Sequence, residues 1–391
     1  MNIKLFEGEQ LVNNYSSDAF LNEEEINQKY KSGEIRVVTE QGRYPLEEVA
    51  RMFSNKEKYN DTMNYQRNYV WSTKMKSLLI ESFIMNIPIP PIFLFEQEYS
   101  YYEILDGKQR ISSIVDFYND KYALEGLNVW GSLNGYTYSK LPKIIKEGLN
   151  RRYLSSVIML KDSESDSFAL SQLKKIIFER LNTGGCKLTS QEARNAIYAG
   201  PFNDCCVELA KSYEFIKAWY SPNIQPSFFS TLDVEKNLMN DSEIVLRFFA
   251  FRHLNQFEGN LNVFLDKYLD NANKFSDVLI KKMKSLFLDT IVFATELFDG
   301  YPFKERTVDG FFIKKKSDRF IYDPVMQVLS QYLDRKELLL NKRKLIQNQF
   351  TDIIRKNPDK AFNGKLQHKA SIEKRIDIFE NIIIKALDNE K

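Results

Sequence analysis

Histidine is nearly absent from these 391 residues, which contain only His253 and His368, and cysteine is almost as scarce, at Cys186, Cys205 and Cys206. A zinc site needs three or four Cys or His ligands at characteristic spacing, and the adjacent pair Cys205-Cys206 lacks C-x-x-C geometry, so structural zinc is not expected. A histidine-metal nuclease or a Ser-His-Asp hydrolase would have to recruit His253, in a helix-periodic run, or His368, in a polar segment near the end. Each reads more simply as an ordinary core or surface residue. Three cysteines in so long a chain do not make a disulfide scaffold and suit a reducing compartment. No apolar run approaches the roughly 18 residues of a membrane helix, and the opening MNIKLFEGEQ has neither the basic region nor the apolar stretch of a leader. The expectation is a soluble cytoplasmic protein with no membrane partner.

Net charge is also scarce: 55 Lys and Arg against 53 Asp and Glu leave a formal +2. A whole-domain phosphate-binding footprint shows as a strongly basic balance, so any such surface must be local. The charges are in fact unevenly spread. Met1 to Asp61 holds 8 basic and 12 acidic residues, whereas Arg335 to Arg375 holds 12 basic and 4 acidic, a local net of +8. Hydrophobic residues at 43% and charged residues at 28% are those of an ordinary globular chain, long enough for roughly two to three domains.

The first half alternates strand and helix signals. Ile35 to Thr39 predicts a short strand, Pro45 to Phe53 a helix, and Lys74 to Met85 a helix with Met75, Leu78, Leu79 and Phe83 on one face, stopped by Pro88, Pro90 and Pro91. Ile92 to Phe95 and Tyr101 to Leu105 predict paired strands, Ile111 to Tyr118 a helix, and Val157 to Leu160 another strand. Phe168 to Leu181 reads as an amphipathic helix, and Asn182-Thr183-Gly184-Gly185 as a turn. Thr189 and Glu192 form a capping box for a helix ending at Gly200-Pro201. Beyond it, Glu243 to Leu254, Val278 to Leu297, Pro324 to Leu333, Glu337 to Ile354 and Ile372 to Leu387 have helical periodicity without strand alternation. The expected fold is α+β in front and all-helical behind: an extension over 1–34, an α+β domain over 35–201 and a helical domain over 202–391.

Three clusters carry candidate chemistry. In YYEILDGKQRISSI (Tyr101 to Ile114) a strand ends at Asp106-Gly107 and a helix opens with Lys108, Gln109 and Arg110. Such a turn aims backbone N–H groups and a helix dipole at whatever lies above the strand end. Gly107 lets a phosphate approach, Arg110 offers a planar fork, and Asp106 can hold a cation or orient water. A plain turn with solvated polar residues fits the same letters. The second cluster, YQRNYVW (Tyr65 to Trp71), sets Gln66 and Arg67 among aromatics, either as a packed arginine or as a second phosphate contact. The third, FERLNTGGCKLTSQEARN (Phe178 to Asn195), has a Gly-rich turn that is either an anion-binding nest or the bend of a helical hairpin.

In order and spacing the three clusters, with the Pro-rich break at Ile87 to Ile92, resemble the N-terminal domain of GmrSD-type modification-dependent restriction proteins, of the ParB/sulfiredoxin-like superfamily. The likeness spans Ile35 to Pro201 and is weaker in the helical remainder, where it includes Lys374-Arg375-Ile376. The family usually has Asp-Gly-Gln-Gln-Arg where this chain has Lys108. The resemblance implies a ParB/sulfiredoxin-like fold and a turn that binds NTP and hydrolyses it during restriction of foreign DNA. Carried over, Asp106, Gly107, Gln109 and Arg110 form the nucleotide and catalytic turn, with Lys108 beside them and Gln66-Arg67 as partner motif. Asn182, Thr183 and Gly185 form a third wall. Two arginines, Mg²⁺ on Asp106 and a water oriented by Gln109 or Gln66 would suffice for phosphoryl transfer. Many relatives add a His-Asn-His nuclease domain. Here neither histidine has that context, so cutting would fall to a separate nuclease subunit or to the front domain.

Three functions therefore compete: an NTP-hydrolysing component of a restriction or antiphage system, a nucleotide-switched DNA-binding or partner-binding scaffold without turnover, and a metal-dependent nicking nuclease. A homo-oligomer is compatible with each. DNA contact is expected from the basic tail, at Lys342, Arg343, Lys344, Lys374 and Arg375, and from the run Lys314-Lys315-Lys316, although helical Lys/Arg faces are often only solvated surface.

Overall fold

The computed structural model describes residues 3–11, 22–32, 38–53, 59–60, 71–98, 101–160, 171, 174–177, 180, 190–223, 232–305, 317–358, 361–362 and 367–388. The chain divides into two compact units, one of residues 20–188 and one of residues 1–19 with 189–391.

In the first unit the strands are β1 (Val38–Pro45), β2 (Tyr59–Asn60), β3 (Ile92–Glu98), β4 (Tyr101–Asp106) and β5 (Tyr153–Leu160), and the helices are α1 (Glu23–Ser32), α2 (Leu46–Met52), α3 (Thr73–Ile84), α4 (Lys108–Tyr118) and α5 (Lys143–Asn150). The strands form one mixed sheet in the order β1-β5-β3-β4-β2, with β1 antiparallel to β5, β5 parallel to β3, β3 antiparallel to β4 and β4 parallel to β2. The expected strand at Ile35 to Thr39 is found further along, because eight successive pairs with β5 carry β1 from Val38 to Pro45.

Helix α3 starts where the Ser72 hydroxyl accepts the Met75 N–H at 3.3 Å, a standard N-cap. It ends before Asn86, which has a left-handed φ of 56°, and the prolines beyond prevent its continuation. Its apolar face (Leu79, Ile80, Phe83) joins Ile111, Ile114 and Phe117 of α4 and Leu46 and Val49 of α2 in one buried cluster with Ile92, Leu94 and Ile158 of the sheet. This core holds the end of β4 and the start of α4 in fixed relation, which is what a site at that turn requires.

In the second unit every regular element among the described residues is helical: α6 (Ser190–Ile197), α7 (Pro201–Ala210), α8 (Tyr213–Trp219), α9 (Leu232–Ala250), α10 (Leu261–Ala272), α11 (Asp277–Leu297), α12 (Arg319–Leu329), α13 (Lys336–Asn341), α14 (Arg343–Lys356) and α15 (Lys369–Asp388), with short 3-10 turns. Pro201 opens α7 at its first turn, where its missing N–H costs nothing. The expected helix Glu337 to Ile354 is broken at Lys342 into α13 and α14. The expected helix Phe168 to Leu181 and the turn after it lie mostly or wholly outside the described residues. Helix α6, placed with the front domain on sequence grounds, packs on α9 in the helical unit.

The N-terminal segment is part of this unit through one buried contact. Arg252 donates from Nε and Nη2 to the two carboxylate oxygens of Glu9, at 2.7 and 2.9 Å, and also to the Lys4 carbonyl, while His253 Nε2 lies 3.4 Å from Glu9. Burial alone would push the Glu9 carboxyl up, but the hydrogen bonds from Arg252 and His253 and the Arg252 charge prevail and hold it down at about 2. A depressed folded-state value means that Glu9 contributes its stability above the ordinary value of 4.5 and loses it as pH falls from there towards 2. The contribution is on the order of 3 kcal/mol. Acid unfolding followed by circular dichroism should show this loss between pH 4.5 and 2 in the wild type. Glu9→Gln should be less stable at pH 7 and flatter across that window; an unchanged acid profile would refute the assignment.

Candidate functional site

The candidate site is built on the Asp106-Gly107 turn. Strand β4 ends at Asp106, which pairs in register with Phe93, and Gly107 turns the chain with φ 98°, ψ 7° into α4. Glycine is needed here twice over. The conformation is left-handed, and a Cβ would lie 2.4 Å from Ile92 Cγ2, with no room to move inside the core. No side chain caps α4, so its first turn presents backbone donors at the strand end, with the helix dipole behind them.

Arg110 sits one helical turn beyond Asp106 and folds back over Gly107. Its Nη2 donates to Asp106 Oδ2 at 2.6 Å and to the Pro91 carbonyl at 3.1 Å. Both side chains remain partly accessible, at 16% for Arg110 and 30% for Asp106. Arg110 Nε is buried and has no hydrogen-bond partner among the described residues. The result is a guanidinium locked in orientation by one carboxylate and one carbonyl, with donor capacity left over. That suits a planar, oxygen-rich anion.

Gln109 makes a contact across the turn. Its side-chain Oε1 accepts the Trp71 backbone N–H at 3.2 Å, so it ties the end of the YQRNYVW segment to the first turn of α4. Trp71, Pro91 and Asp106 to Arg110 thus meet at one place, which brings together parts of three sequence features separated by up to 39 positions. Gln66 and Arg67 themselves lie outside the described residues, as do Asn182, Thr183 and Gly185. Trp71 was expected as an aromatic anchor of its segment and not as a backbone donor to this turn, and the Pro91 carbonyl had no assigned role. The Pro-rich break was the available signal for the latter, since a proline run after a helix fixes where its carbonyls point.

The end of the third cluster is described, and it is buried in the helical unit. Arg194 of α6 has no exposure and donates to Asp266 at 2.7 Å, to Gln191, to Glu243 at 3.4 Å and to Asn262 at 3.4 Å. Gln191 and Asn195 join each other and Ser242. This half of the cluster fastens α6 to α9 and α10.

Asp106 as a Mg²⁺ ligand is compatible with what surrounds it under one condition. No group of three or more His, Cys, Asp or Glu capable of holding a metal occurs among the described residues. Mg²⁺ held by Asp106 alone would need phosphate oxygens and waters to complete its octahedron, and would share the carboxylate with Arg110, which engages Oδ2 at 2.6 Å.

The expected DNA-binding residues are divided. Lys344 is exposed, Arg343 is half exposed and reaches Asp299 at 3.5 Å, and Lys342 donates to the Ala386 carbonyl at 2.8 Å. Lys374 is half-buried, and Lys314, Lys315 and Lys316 lie outside the described residues. Arg375 is a correction. It is fully buried, donates Nη1 to the Ala361 carbonyl at 3.0 Å and stacks its guanidinium 5.0 Å from the Phe320 ring centre, so no DNA can reach it. His253 is buried beside Glu9 and His368 is exposed before α15. Cys205 and Cys206 are buried thiols, and burial pushes Cys205 up to about 11, away from nucleophilic use.

No helix among the described residues is long and apolar enough to cross a membrane. No curated protein and no solved structure matches the chain. Residues 49–199 match the family described as GmrSD restriction endonuclease, N-terminal domain. That segment runs from α2 through Trp71, Pro91 and the Asp106 turn to the end of α6, so this part of the chain is similar to the N-terminal domain of the GmrSD restriction endonuclease.

Proposed function

We propose that the protein is the nucleotide-binding, NTP-hydrolysing component of a restriction or antiphage defence system that acts on foreign DNA. The observation that carries this reading is the Asp106–Arg110 turn: an uncapped helix start behind a buried left-handed glycine, with a guanidinium fixed across it at 2.6 Å from a carboxylate. Backbone N–H groups and Arg110 would take the phosphate oxygens, with Arg67 as the partner arginine. Asp106 would share a Mg²⁺ with the nucleotide, and the cation would neutralise charge on the transferred phosphoryl group. Gln109 acts as a positioning residue, since its carboxamide oxygen holds the Trp71 main chain. Lys342, Arg343, Lys344 and Lys374 supply the proposed DNA contacts, without Arg375.

The same bond favours one alternative. A glutamine whose carboxamide oxygen is committed to Trp71 keeps only its NH2 group and one lone pair for an attacking water, a restriction that a nucleotide-switched scaffold without turnover would tolerate. Phosphate release from ATP, GTP, CTP and UTP with Mg²⁺, with and without DNA, separates the two. Turnover stimulated by DNA is expected. Nucleotide binding with release at background would establish the scaffold, and neither binding nor release would remove both.

A further inference from the structure

We propose that the helical unit binds a small organic cation, an alkylammonium or alkylguanidinium ion, in a cleft between α8, α9 and α12, with Asp241 as its counter-charge. Six acidic residues are buried among the described residues: Glu9, Glu81, Glu103, Asp241, Asp266 and Asp323. Four of them hold an arginine or a lysine, Glu9 with Arg252, Glu103 with Lys174, Asp266 with Arg194 and Asp323 with Arg247. Glu81 instead accepts three backbone N–H groups, those of Asn128, Val129 and Trp130. Asp241 has neither kind of support. It is 5% exposed, its Oδ2 accepts one neutral hydroxyl, that of Tyr220 at 2.6 Å, and no cation among the described residues pairs with it. A buried carboxylate without a counter-charge is destabilising. Burial accordingly pushes the Asp241 carboxyl up to about 7, against the single hydrogen bond from Tyr220.

Asp241 borders a cleft of about 490 Å³, a volume typical of small-molecule sites. The cleft is built from the end of α8, the middle of α9 and the start of α12, and the Ser317 hydroxyl donates to the Trp219 carbonyl, which ties the first of these to the last. Trp219, Tyr220 and Phe320 give it an aromatic wall, and Glu243, Asp318 and Arg319 are the other charged residues that line it. Arg319 makes no ion pair with Asp241; its guanidinium lies 5.5 Å from the Phe320 ring centre. Glu243 is 3.4 Å from Arg194. Asp318 caps α12 by accepting the Phe320 N–H at 2.9 Å, so a helix start that would otherwise draw an anion is closed by its own carboxylate. With Asp241 ionised, three carboxylates stand against one guanidinium in the lining.

The occupant that such a lining recognises carries positive charge and N–H donors on an apolar stem. Carboxylates accept charge-assisted hydrogen bonds from ammonium or guanidinium groups, and aromatic faces attract a cation electrostatically. A metal ion fits less well, because no group of three or more His, Cys, Asp or Glu able to hold one occurs among the described residues and the aromatic wall offers it few oxygens. An anionic nucleotide would meet three carboxylates, so this cleft selects the charge opposite to that of the Asp106 turn.

Isothermal titration calorimetry of the full chain with butylguanidine and butylamine tests this, with butylurea as an uncharged analogue of butylguanidine. At least one of the two cations should bind, and butylurea should not. The bound cation needs Asp241 ionised, so affinity should rise about tenfold between about pH 6 and about pH 8, and binding near pH 7 should release a proton, seen as an enthalpy that depends on the buffer. Asp241→Asn should weaken binding at least about tenfold and remove the pH dependence. Because it deletes a buried charge without a counter-charge, the same variant should melt no lower than the wild type at about pH 8, which separates lost binding from lost fold. Asp352→Asn, at an exposed position on α14 outside the cleft, should change nothing. No binding of either cation at any pH, butylurea binding as well as butylguanidine, or a cation affinity that Asp241→Asn leaves intact would each overturn the proposal.

Discussion

Arg110→Ala should reduce nucleotide turnover by a factor of about 10²–10³ while leaving the fold in place, the size usual for loss of one preorganised donor from a site that stabilises developing negative charge. Two effects combine. The substitution removes the fork fixed over the turn, and it leaves Asp106, whose Oδ2 it holds at 2.6 Å, as an unbalanced negative charge facing the phosphates. Because both side chains are partly exposed, the stability cost should stay near about 1–2 kcal/mol. Arg110→Lys separates geometry from charge: it restores neutralisation without the bidentate fork, and it should recover nucleotide affinity better than turnover. Wild-type turnover in Arg110→Ala would place the chemistry elsewhere.

The largest effect on stability should come from Asp323→Ala in the helical unit. Arg247 of α9 donates Nε to Asp323 Oδ1 at 3.1 Å and Nη2 to Oδ2, and neither side chain has any exposure. The guanidinium also lies 4.8 Å from the Phe251 ring centre. Removing the carboxylate leaves a buried cation that has lost its hydrogen-bonded partner and keeps only the weaker charge of Glu243, which costs about 3–5 kcal/mol, or about 10 °C in Tm for a unit of about 200 residues. The paired replacement Arg247→Met with Asp323→Leu removes both charges and should recover part of the loss, since a buried ion pair is often no more stabilising than apolar residues of similar volume, while the buried Arg375 still loses the favourable charge of Asp323. Calorimetric unfolding of the two variants decides this. A single variant as stable as the wild type, or a double variant no better than the single, would contradict it.

Much of the first unit was legible because its signals are local. The run from Tyr101 to Ile114 reads as strand, Asp-Gly turn and helix, and it folds that way because periodicity and a glycine with positive φ are properties of neighbouring residues. What the turn touches was not legible. The partner of Gln109 is 38 positions away, and that of Arg110 on Pro91 is 19 away, set by how α3 and β3 pack. The same holds for Glu9, one of the surplus acids in an acidic N-terminus, whose partner Arg252 is 243 positions distant. Arg375 shows the reverse error. Counted within a basic stretch it looked like surface, yet it lies three residues after Ile372 and four before Phe379, on the apolar face of α15. Helical phase was the better guide than charge density.

Binding of nucleotide phosphate at the Asp106 turn, as proposed, would be located by segment through hydrogen–deuterium exchange. With each NTP and Mg²⁺ at saturating concentration, protection should appear in peptides spanning Asp106 to Ile111 and those ending at Trp71, and should vanish in Arg110→Ala. No protection with any nucleotide, or protection confined to peptides of the helical unit, would contradict the account.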